Sequence, residues 1–256
     1  MTLSIVTRAF KSSELRNLIE KLNSNSEIDK EIIAVCNIND YDIDSDKLII
    51  ENYNRVQAKI VGIKNADFDK ILILDSDQIP EDGLLSELDG GKEDMIIIPE
   101  KSVNNSITSR CLDDWRYRNE VLARKRTTPF IPVIPRFYKR EYLLRAIDRL
   151  PENIDRIVNH EDSIFYYEVF KETQNIGFSK KYIYNHDPNF FKLMYKAFLY
   201  GKNQHYINEL EIESDILDLL NKLDRNTLNI KELRLGKGYI IQVLRGGVYE
   251  FGSIIG

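Results

Sequence analysis

Two carboxylates separated by one residue follow a strongly apolar run. The run Ile71-Leu72-Ile73-Leu74 leads directly into Asp75-Ser76-Asp77. Side chains at positions i and i+2 of an extended chain point to one side, so Asp75 and Asp77 can reach the same ligand. Such a pair suits Mg²⁺ or Mn²⁺, which takes one or two carboxylates and fills its other positions with phosphate oxygens. The motif therefore predicts a divalent metal site that serves a phosphorylated substrate.

Two other interpretations of this tripeptide stay open. It can be a solvated acidic turn ahead of Pro80. It can also be the nucleophile motif of a phosphatase of the haloacid dehalogenase type, in which a DxD follows a strand near the start of the chain. Position 75 is late for that motif, and no convincing Thr/Ser and Lys motifs lie between it and Glu161-Asp162. The metal site is the favoured interpretation.

The second acidic pair, Glu161-Asp162, precedes a segment over 163–173 that is predicted to be helical. Asp162 is suited to act as a general base that removes the proton of an attacking hydroxyl. Glu161 would then position the molecule that carries this hydroxyl. The alternative is a pair of N-cap acids that stabilises the helix, because Asp is common at that position. Both interpretations put the pair at the start of a helix.

Short apolar runs alternate with helical periodicity through the first hundred residues. Strands are predicted at 3–7, 31–37, 48–50, 70–75 and 95–98. Three helices are predicted between them: one capped by Ser12, one over 54–66 and one that begins at Pro80. This alternation is typical of a doubly wound α/β sheet, in which ligands bind outside the carboxyl ends of the strands. Three of those ends are polar, namely Thr7-Arg8, Asn37 and Asp75.

The rest of the chain is less regular. A strand over 182–186 ends at His186, which is either a metal ligand or an ordinary turn histidine. Helices are predicted over 190–200 and 207–223, and a β-hairpin over 239–251. The first of these helices carries Lys192 and Lys196 among aromatic residues, so it is either an interfacial membrane helix or an ordinary helix that covers the sheet.

Composition and charge exclude several classes of protein. The 256 residues carry 36 Lys and Arg against 41 Asp and Glu, a net charge of −5, whereas nucleic-acid-binding surfaces are normally basic. Cys36 and Cys111 lie far apart, which excludes a zinc ribbon and suits a reducing compartment. Arg8 comes too early for a signal peptide, and no uncharged stretch approaches the roughly 18 residues of a membrane span. We expect a cytoplasmic protein, with peripheral membrane contact as the alternative.

Five short segments have an order and spacing that match a known family. They are an opening strand and loop (4–10), a helix with a DxD strand (58–63 and 71–77), a strand before the acceptor segment (136–140), a Glu-Asp motif (160–162) and a late strand with a histidine (184–186). Together they resemble family 2 glycosyltransferases with the GT-A fold. The resemblance covers about residues 3–202. It implies a catalytic domain over 1–202, with a nucleotide-binding half over 1–100 and an acceptor half over 101–202, followed by a helical and hairpin extension over 203–256.

The resemblance also assigns roles to individual residues. For the nucleotide, it implies that Thr7, Arg8 and Ala9 line the base and ribose, and that Asp75 and Ser76 lie near the ribose. Asn37 stands where the family commonly has an Asp that recognises the base, and Lys59 stands where it often has Arg. For the metal it implies Asp77 together with Asp75, directly or through water, and His186. For catalysis it implies Asp162 as the base and Glu161 beside the acceptor.

The expected function is therefore that of an inverting, Mn²⁺- or Mg²⁺-dependent glycosyltransferase of the hexosyltransferase type. Its donor would be a nucleotide-diphosphate sugar, with UDP-sugars favoured, and its acceptor a hydroxyl of a glycan, a lipid-linked sugar or a small molecule. A sugar-phosphate nucleotidyltransferase is an alternative, although the loop after the first strand lacks the glycines such enzymes use. A nucleotide-sugar-binding protein without catalysis is the second alternative.

Overall fold

The computed structural model of the chain describes residues 2–9, 11–25, 28–37, 43–125, 133–210 and 237–255. The chain divides into two units. The first unit contains Met1–Glu100, Ile134–Leu150 and Phe165–Asn185, and the second contains Lys101–Val133, Pro151–Ile164 and His186–Gly256. Among the described helices, none has both the length and the apolar character needed to cross a membrane.

The first unit is built on a seven-stranded sheet of order β3-β2-β1-β4-β8-β6-β9. The strands of the described chain are β1 (Thr2–Ala9), β2 (Asp29–Cys36), β3 (Lys47–Ile50), β4 (Lys70–Asp75), β5 (Gln78–Pro80), β6 (Met95–Ile97), β7 (Glu100–Ser102), β8 (Phe137–Lys139), β9 (Ile176–Phe178) and β10 (Ile183–Asn185). Within the sheet only β8 runs antiparallel to its neighbours, β4 and β6. A second sheet has the order β5-β10-β7. The predicted doubly wound α/β sheet is confirmed.

The described helices are α1 (Ser12–Asn23), α2 (Arg55–Lys64), α3 (Leu84–Gly90), α4 (Ile107–Lys125), α5 (Arg140–Asp148), α6 (Glu161–Phe170), α7 (Phe190–Lys202), α8 (Gln204–Asn208) and α9 (Lys237–Ile255). The apolar stripe predicted for α1 is fully buried at Leu15, Leu18 and Leu22. It packs with α3 on one face of the sheet. Lys11 rather than Ser12 occupies the N-cap of α1, so the predicted cap is one residue late.

Helix α2 lies on the sheet near β1. Asn54 caps this helix, because its side chain accepts hydrogen bonds from the backbone N–H of Val56 and Gln57, and the Gln57 side chain accepts one from the Asn54 backbone N–H. Gly62 permits the close approach of α2, since a Cβ there would lie 2.4 Å from Cγ1 of Val6. This packing fixes α2 beside the strand whose end carries Arg8.

Pro80 does not open a helix as predicted. It is the last residue of β5, which pairs antiparallel with β10, so that Pro80 stands opposite Ile183. Helix α3 begins four residues later, after Gly83 in a left-handed conformation (φ 80°). The strand pairing with a distant segment overrides the local preference of proline for a first helical turn.

The hairpin predicted over 239–251 is wrong, because these residues belong to helix α9. The helix packs in the second unit with α4 and α7, through a cluster of Leu112, Leu193 and Ile241. Two glycines allow close contact: a Cβ at Gly238 would lie 2.6 Å from the Cys111 carbonyl oxygen, and one at Gly252 would lie 2.4 Å from the Phe198 carbonyl oxygen. Most of the helix predicted over 207–223 lies outside the described residues.

Candidate functional site

The carboxyl ends of β1 and β4 form the centre of the candidate site. Strand β1 lies between β2 and β4, so the order of the sheet reverses there, and open α/β sheets bind ligands at such a point. Arg8 and Asp75 are register partners at these two strand ends. The guanidinium Nη2 of Arg8 lies 3.0 Å from the carboxylate Oδ1 of Asp75. Two residues selected from the sequence are thus in direct contact.

Positive side chains surround the carboxylate of Asp75. Burial by itself would raise the pKa of this carboxyl, whose side chain is 18% exposed. The neighbouring positive charges outweigh that effect and hold the pKa of Asp75 well below its usual value; in order of size they come from Lys59, Arg136, Arg8 and Arg55. Asp75 is therefore ionised at neutral pH. Four cations therefore face one carboxylate at the carboxyl edge of the sheet, and cations placed there are suited to contact a diphosphate.

A ring of side chains ties Asp75 to β8, β10 and Glu100. Arg136 Nη1 lies 3.7 Å from Asp75 Oδ2, and Arg136 Nη2 lies 3.2 Å from Glu100 Oε1. Glu100 Oε2 accepts a hydrogen bond of 3.0 Å from Asn185 Nδ2. Gln78 closes the ring: its Nε2 donates to Asn185 Oδ1 at 3.0 Å, and its Oε1 accepts from the Asp75 backbone N–H at 2.9 Å.

Sequence reasoning missed this ring. It identified Arg136 only as part of a strand, and it gave Gln78 and Glu100 no role. The signal for Arg136 is a cation directly before a strand, but only the antiparallel pairing of β8 with β4 brings that position to the carboxyl end of β4. The Arg136 carbonyl accepts a hydrogen bond of 2.8 Å from the Ile73 N–H, which fixes this register.

A pocket opens at the carboxyl ends of β1, β2 and β3. Arg8, Ala9 and Asn37 contribute to its lining, so three predicted site residues are brought together. Glu51 and Tyr53, which follow β3, also line it and were missed. The sequence signal that could have identified them is an acidic and an aromatic residue shortly after a parallel strand. The pocket is narrow, with an empty volume of about 180 Å³, but a ring able to stack and three hydrogen-bonding side chains are the kinds of groups that recognise a nucleobase.

The other four nucleotide-binding candidates, which include Asp75, lie outside the lining of this pocket. Thr7 is only 1% exposed within β1, and its Oγ1 has no hydrogen-bond partner in the described part of the chain. Lys59 is 1% exposed on α2 and acts on Asp75 through its charge. Ser76 is partly exposed in the turn after β4.

The proposed metal ligands differ in their surroundings. Both carboxylate oxygens of Asp75 face guanidinium groups, so a metal bound directly there would compete with Arg8 and Arg136. Asp77 lies partly exposed in the turn after β4. Within the described ranges, no three His, Cys, Asp or Glu side chains form a group that could hold a metal ion. These side chains therefore fit a cation that is bound by Asp77 and whose remaining coordination positions are filled by phosphate oxygens. They do not fit a cation enclosed by protein ligands.

In the second unit, Glu161 and Asp162 form the first turn of α6. Glu161 is 2% exposed, whereas Asp162 is partly exposed. Because the helix already begins at Glu161, Asp162 lies in its first turn and not at its N-cap, where its charge still favours the helix N-terminus. His160 precedes the helix with φ 65°, a left-handed conformation that costs a non-glycine residue about 1 kcal/mol or more. Such strain is often found at functional positions.

His186 is exposed, and its neighbour Asp187 is firmly held. The Asp187 side chain is 2% exposed and forms a bidentate pair with Arg116 of α4, with Nη2 to Oδ1 at 2.6 Å and Nη1 to Oδ2 at 3.2 Å. The hydroxyl of Ser102 donates a further hydrogen bond to Asp187. The pair fixes the backbone next to His186, and no pattern in the sequence indicated this pair.

Comparison with known proteins defines the fold. No family model and no curated relative matches the chain. The structure of S. aureus TarS 1–349 is similar over 99% of this chain and 81% of its own, with a TM-score of 0.56 at 13% identity. The same protein in complex with UDP-GlcNAc has a TM-score of 0.55 at 12% identity over 99% and 91% of the two chains. The mannosyltransferase PcManGT from Pyrobaculum calidifontis, in complex with GDP-Man and Mn²⁺, has a TM-score of 0.59 at 11% identity over 99% and 75%. These structures share a GT-A-like fold with this chain, as expected.

Proposed function

We propose that this protein is a glycosyltransferase that moves a sugar from a nucleotide-diphosphate sugar to a hydroxyl acceptor with inversion. The observation that carries the proposal is the pocket lined by Asn37 and Tyr53, whose side chains suit a nucleobase, beside the cations around Asp75. Arg8 belongs to both, so a nucleoside in the pocket would direct its diphosphate towards the positive charge. The GT-A fold supports the proposal, because TarS and PcManGT have been solved with nucleotide sugars.

Uridine is the base that we propose for the donor. The Asn37 amide can accept a hydrogen bond from uracil N3–H and donate one to a uracil carbonyl. The ring of Tyr53 is available to stack on the base, and Glu51 is placed to accept from a ribose hydroxyl. The structural neighbours were solved with both uridine and guanosine donors, so this choice rests on the pocket residues.

Asp77 is the residue that would hold Mn²⁺ or Mg²⁺ in the donor complex, with His186 as a further contact. A bound cation would supply charge stabilisation for the leaving diphosphate. Asp75 has a different task in this proposal: it orients Arg8 and Arg136 at the edge of the sheet. Lys59 adds a fixed positive charge from α2.

Asp162 would act as the general base. It takes the proton of the acceptor hydroxyl while the hydroxyl oxygen forms a bond to the anomeric carbon. The bond between that carbon and the diphosphate oxygen breaks, and the nucleoside diphosphate leaves from the opposite face. Glu161 would place the acceptor, which is a hydroxyl of a glycan, a lipid-linked sugar or a small molecule.

Calorimetric titration with UDP, GDP and their sugars, with Mn²⁺ and in EDTA, tests the binding half of the proposal. We expect UDP to bind much more tightly with Mn²⁺, and Asp77→Asn to remove this dependence. Asp82→Asn is a matched control, since its side chain is 87% exposed and pairs with Lys21 on α1. Equal affinity in EDTA would contradict the metal site, and no binding of any nucleotide would contradict the proposed function.

Product analysis tests the chemical half. Incubation with UDP-sugars should release UDP and no pyrophosphate, and release should rise with a suitable hydroxyl acceptor. Pyrophosphate formed from a nucleoside triphosphate and a sugar phosphate would indicate a nucleotidyltransferase instead. Tight binding of donors without any turnover, across a broad set of acceptors, would indicate a binding protein.

A further inference from the structure

The exposed large apolar side chains are concentrated on two helices of the second unit. In the described part of the chain all but Val103, Ile107 and Tyr117 lie on α7 or α9. We call the others the apolar face; its members are Phe190, Phe191, Tyr195, Ile240, Val243, Leu244, Phe251, Ile254 and Ile255. Phe191 is 82% and Ile254 is 80% exposed. Apolar side chains exposed in such a cluster indicate a docking surface.

The two helices pack antiparallel, so their apolar residues adjoin. Phe198 contacts Gly252 and Gly201 contacts Tyr249, which sets the C-terminal half of α7 beside the last turns of α9 and the start of α7 towards the C-terminal end of α9. The rings of Phe198 and Phe251 meet at a centroid distance of 6.3 Å. Phe191 and Tyr195 lie on the same side of α7 as Phe198 at helical spacing, as Ile254 and Ile255 do with Phe251 on α9. The exposed apolar residues of α7 therefore lie near those of the last turns of α9, and Ile240, Val243 and Leu244 extend the apolar face along α9 towards its start.

The exposed side of α9 is wider than a helix-pairing seam. A coiled coil buries two positions per heptad and places charged residues beside them. Here Ile240, Leu244, Phe251 and Ile254 follow that seam, but the flanking Val243 and Ile255 are also apolar and exposed. The opposite side of α9 is already buried against α4 and α7. This pattern fits a helix that lies in an interface with its broad apolar side outward.

Charge on these helices has the sign opposite to that of the chain. Helix α7 carries Lys192, Lys196 and Lys202 and no acidic residue. Helix α9 carries Lys237 and Arg245 against the single acidic residue Glu250. The whole chain has a net charge of −5. Exposed Lys192 and Lys196 directly follow Phe191 and Tyr195, so basic groups border the apolar face where it is most exposed.

From these observations we propose that the apolar face of α7 and α9 docks on a bilayer that contains anionic lipid. Phe191, Tyr195, Phe251 and Ile254 would enter the boundary between headgroups and acyl chains, and Lys192 and Lys196 would contact lipid phosphates. Burial of the apolar side chains and attraction of the lysines to anionic headgroups both favour binding at a bilayer surface. The proposal does not depend on the donor or on catalysis.

Vesicle flotation of the full chain tests the proposal. The vesicles contain equal parts of phosphatidylcholine and phosphatidylglycerol, with phosphatidylcholine alone as the comparison. We expect binding to the anionic vesicles and at least about tenfold weaker partitioning to the neutral ones. The difference should shrink at high salt, because salt screens the attraction of the lysines. No binding to either vesicle would overturn the proposal.

Two double variants separate the apolar contribution to vesicle binding from the electrostatic one. The double change Phe191→Ser and Ile254→Ser should lower partitioning about tenfold or more on both vesicles, and Lys192→Glu with Lys196→Glu should remove the preference for the anionic ones. Ile107→Ser, at a residue 74% exposed at the start of α4, and Lys64→Glu, at an exposed residue of α2, are matched controls that should change nothing. Unchanged partitioning in both double variants would overturn the proposal. So would a wild-type dimer that the first double variant converts to monomer while neither protein binds vesicles, because the face would then serve a second copy.

Discussion

Arg8 and Asp75 are register partners at the carboxyl ends of two adjacent parallel strands, and Arg8 Nη2 lies 3.0 Å from Asp75 Oδ1. The other carboxylate oxygen of Asp75 faces Arg136 at 3.7 Å. One carboxylate thus holds two guanidinium groups at the switch point of the sheet. The first acid of the DxD motif is engaged with protein cations, and its second acid, Asp77, is the metal ligand that we propose.

Asp75→Asn should destabilise the protein and weaken nucleotide binding. Arg8 would lose the carboxylate it pairs with, and Arg136 would keep only Glu100, which we expect to lower the free energy of unfolding by about 1–3 kcal/mol. The two guanidinium groups would also lose their fixed orientation, so the affinity for UDP should fall. Urea unfolding and calorimetry measure the two effects.

The control for this change is Asp77→Asn, which should alter the Mn²⁺ dependence of UDP binding with little loss of stability. The two variants therefore separate an orienting carboxylate from a metal-binding one. If Asp75→Asn kept full stability and lost the Mn²⁺ dependence instead, Asp75 would be a metal ligand and its pairing with Arg8 incidental.

Much of the central sheet could be predicted because its strands are buried on both faces. Such strands appear in the sequence as continuous apolar runs, and a polar residue that ends a run marks the carboxyl edge. Arg8, Asn37 and Asp75 were found in this way. Arg136, Gln78 and Glu100 were not, because their positions depend on antiparallel pairings between segments far apart in the chain.

Helix α9 is an element that the sequence analysis predicted wrongly. The sequence Arg245-Gly246-Gly247 between apolar runs is typical of a hairpin turn, and glycine disfavours a helix interior by about 1 kcal/mol. Packing against α4 and α7 overrides that local preference, since Gly238 and Gly252 let the helices approach closely. These contacts are nonlocal, so no window of sequence around Gly246 reveals them.

Replacement of Tyr53 or Asn37 should change base recognition in different ways. Tyr53→Ala removes a stacking ring and should weaken UDP and GDP binding alike. Asn37→Ala removes the hydrogen-bonding groups that distinguish the bases, so it should reduce the difference between UDP and GDP, at a loss of about 1–3 kcal/mol for UDP. Competition calorimetry with both nucleotides measures this. Selectivity that survives Asn37→Ala would take this residue out of the base site.

Glu31 should make the stability of the first unit depend on acid pH. Burial of this carboxyl would raise its pKa, but hydrogen bonds from Ser4 and the Asp67 backbone, with Lys47 Nζ 3.1 Å away, hold the pKa below its usual 4.5. A carboxyl whose pKa is lower in the folded state contributes stability above its unfolded pKa. That contribution is lost as the pH falls from about 4.5 through the folded pKa.

Urea unfolding between about pH 3 and 7 measures this contribution. Glu31→Gln should be less stable than wild type near neutral pH. Its slope against pH below about 4.5 should be shallower by up to about 1.4 kcal/mol per pH unit, the limit for one proton. Glu20→Gln, at an exposed position of α1, is the control and should leave the slope unchanged. Parallel curves for wild type and Glu31→Gln would show that Glu31 titrates alike in the folded and unfolded states.

Asp162→Asn should reduce transfer without preventing donor binding. Asn keeps the shape of the side chain and removes its basicity, so we expect transfer to fall by at least about a hundredfold if Asp162 accepts the acceptor proton. Since Asp162 lies in the first turn of α6, loss of its charge near the helix N-terminus should cost no more than about 1 kcal/mol of stability. Single-turnover transfer, UDP calorimetry and thermal unfolding measure the three quantities.

Two further changes make this test specific. Asp148→Asn removes an exposed carboxylate at the end of α5 and should leave transfer unchanged, which excludes a general effect of net charge. Glu161→Gln should raise the KM for the acceptor more than it lowers the rate with saturating acceptor, because we assign this buried residue to acceptor placement. A well-folded Asp162→Asn protein with full transfer activity would end the base assignment. The nucleotide pocket and the cations around Asp75 would then still stand, and the base would have to be sought on another element.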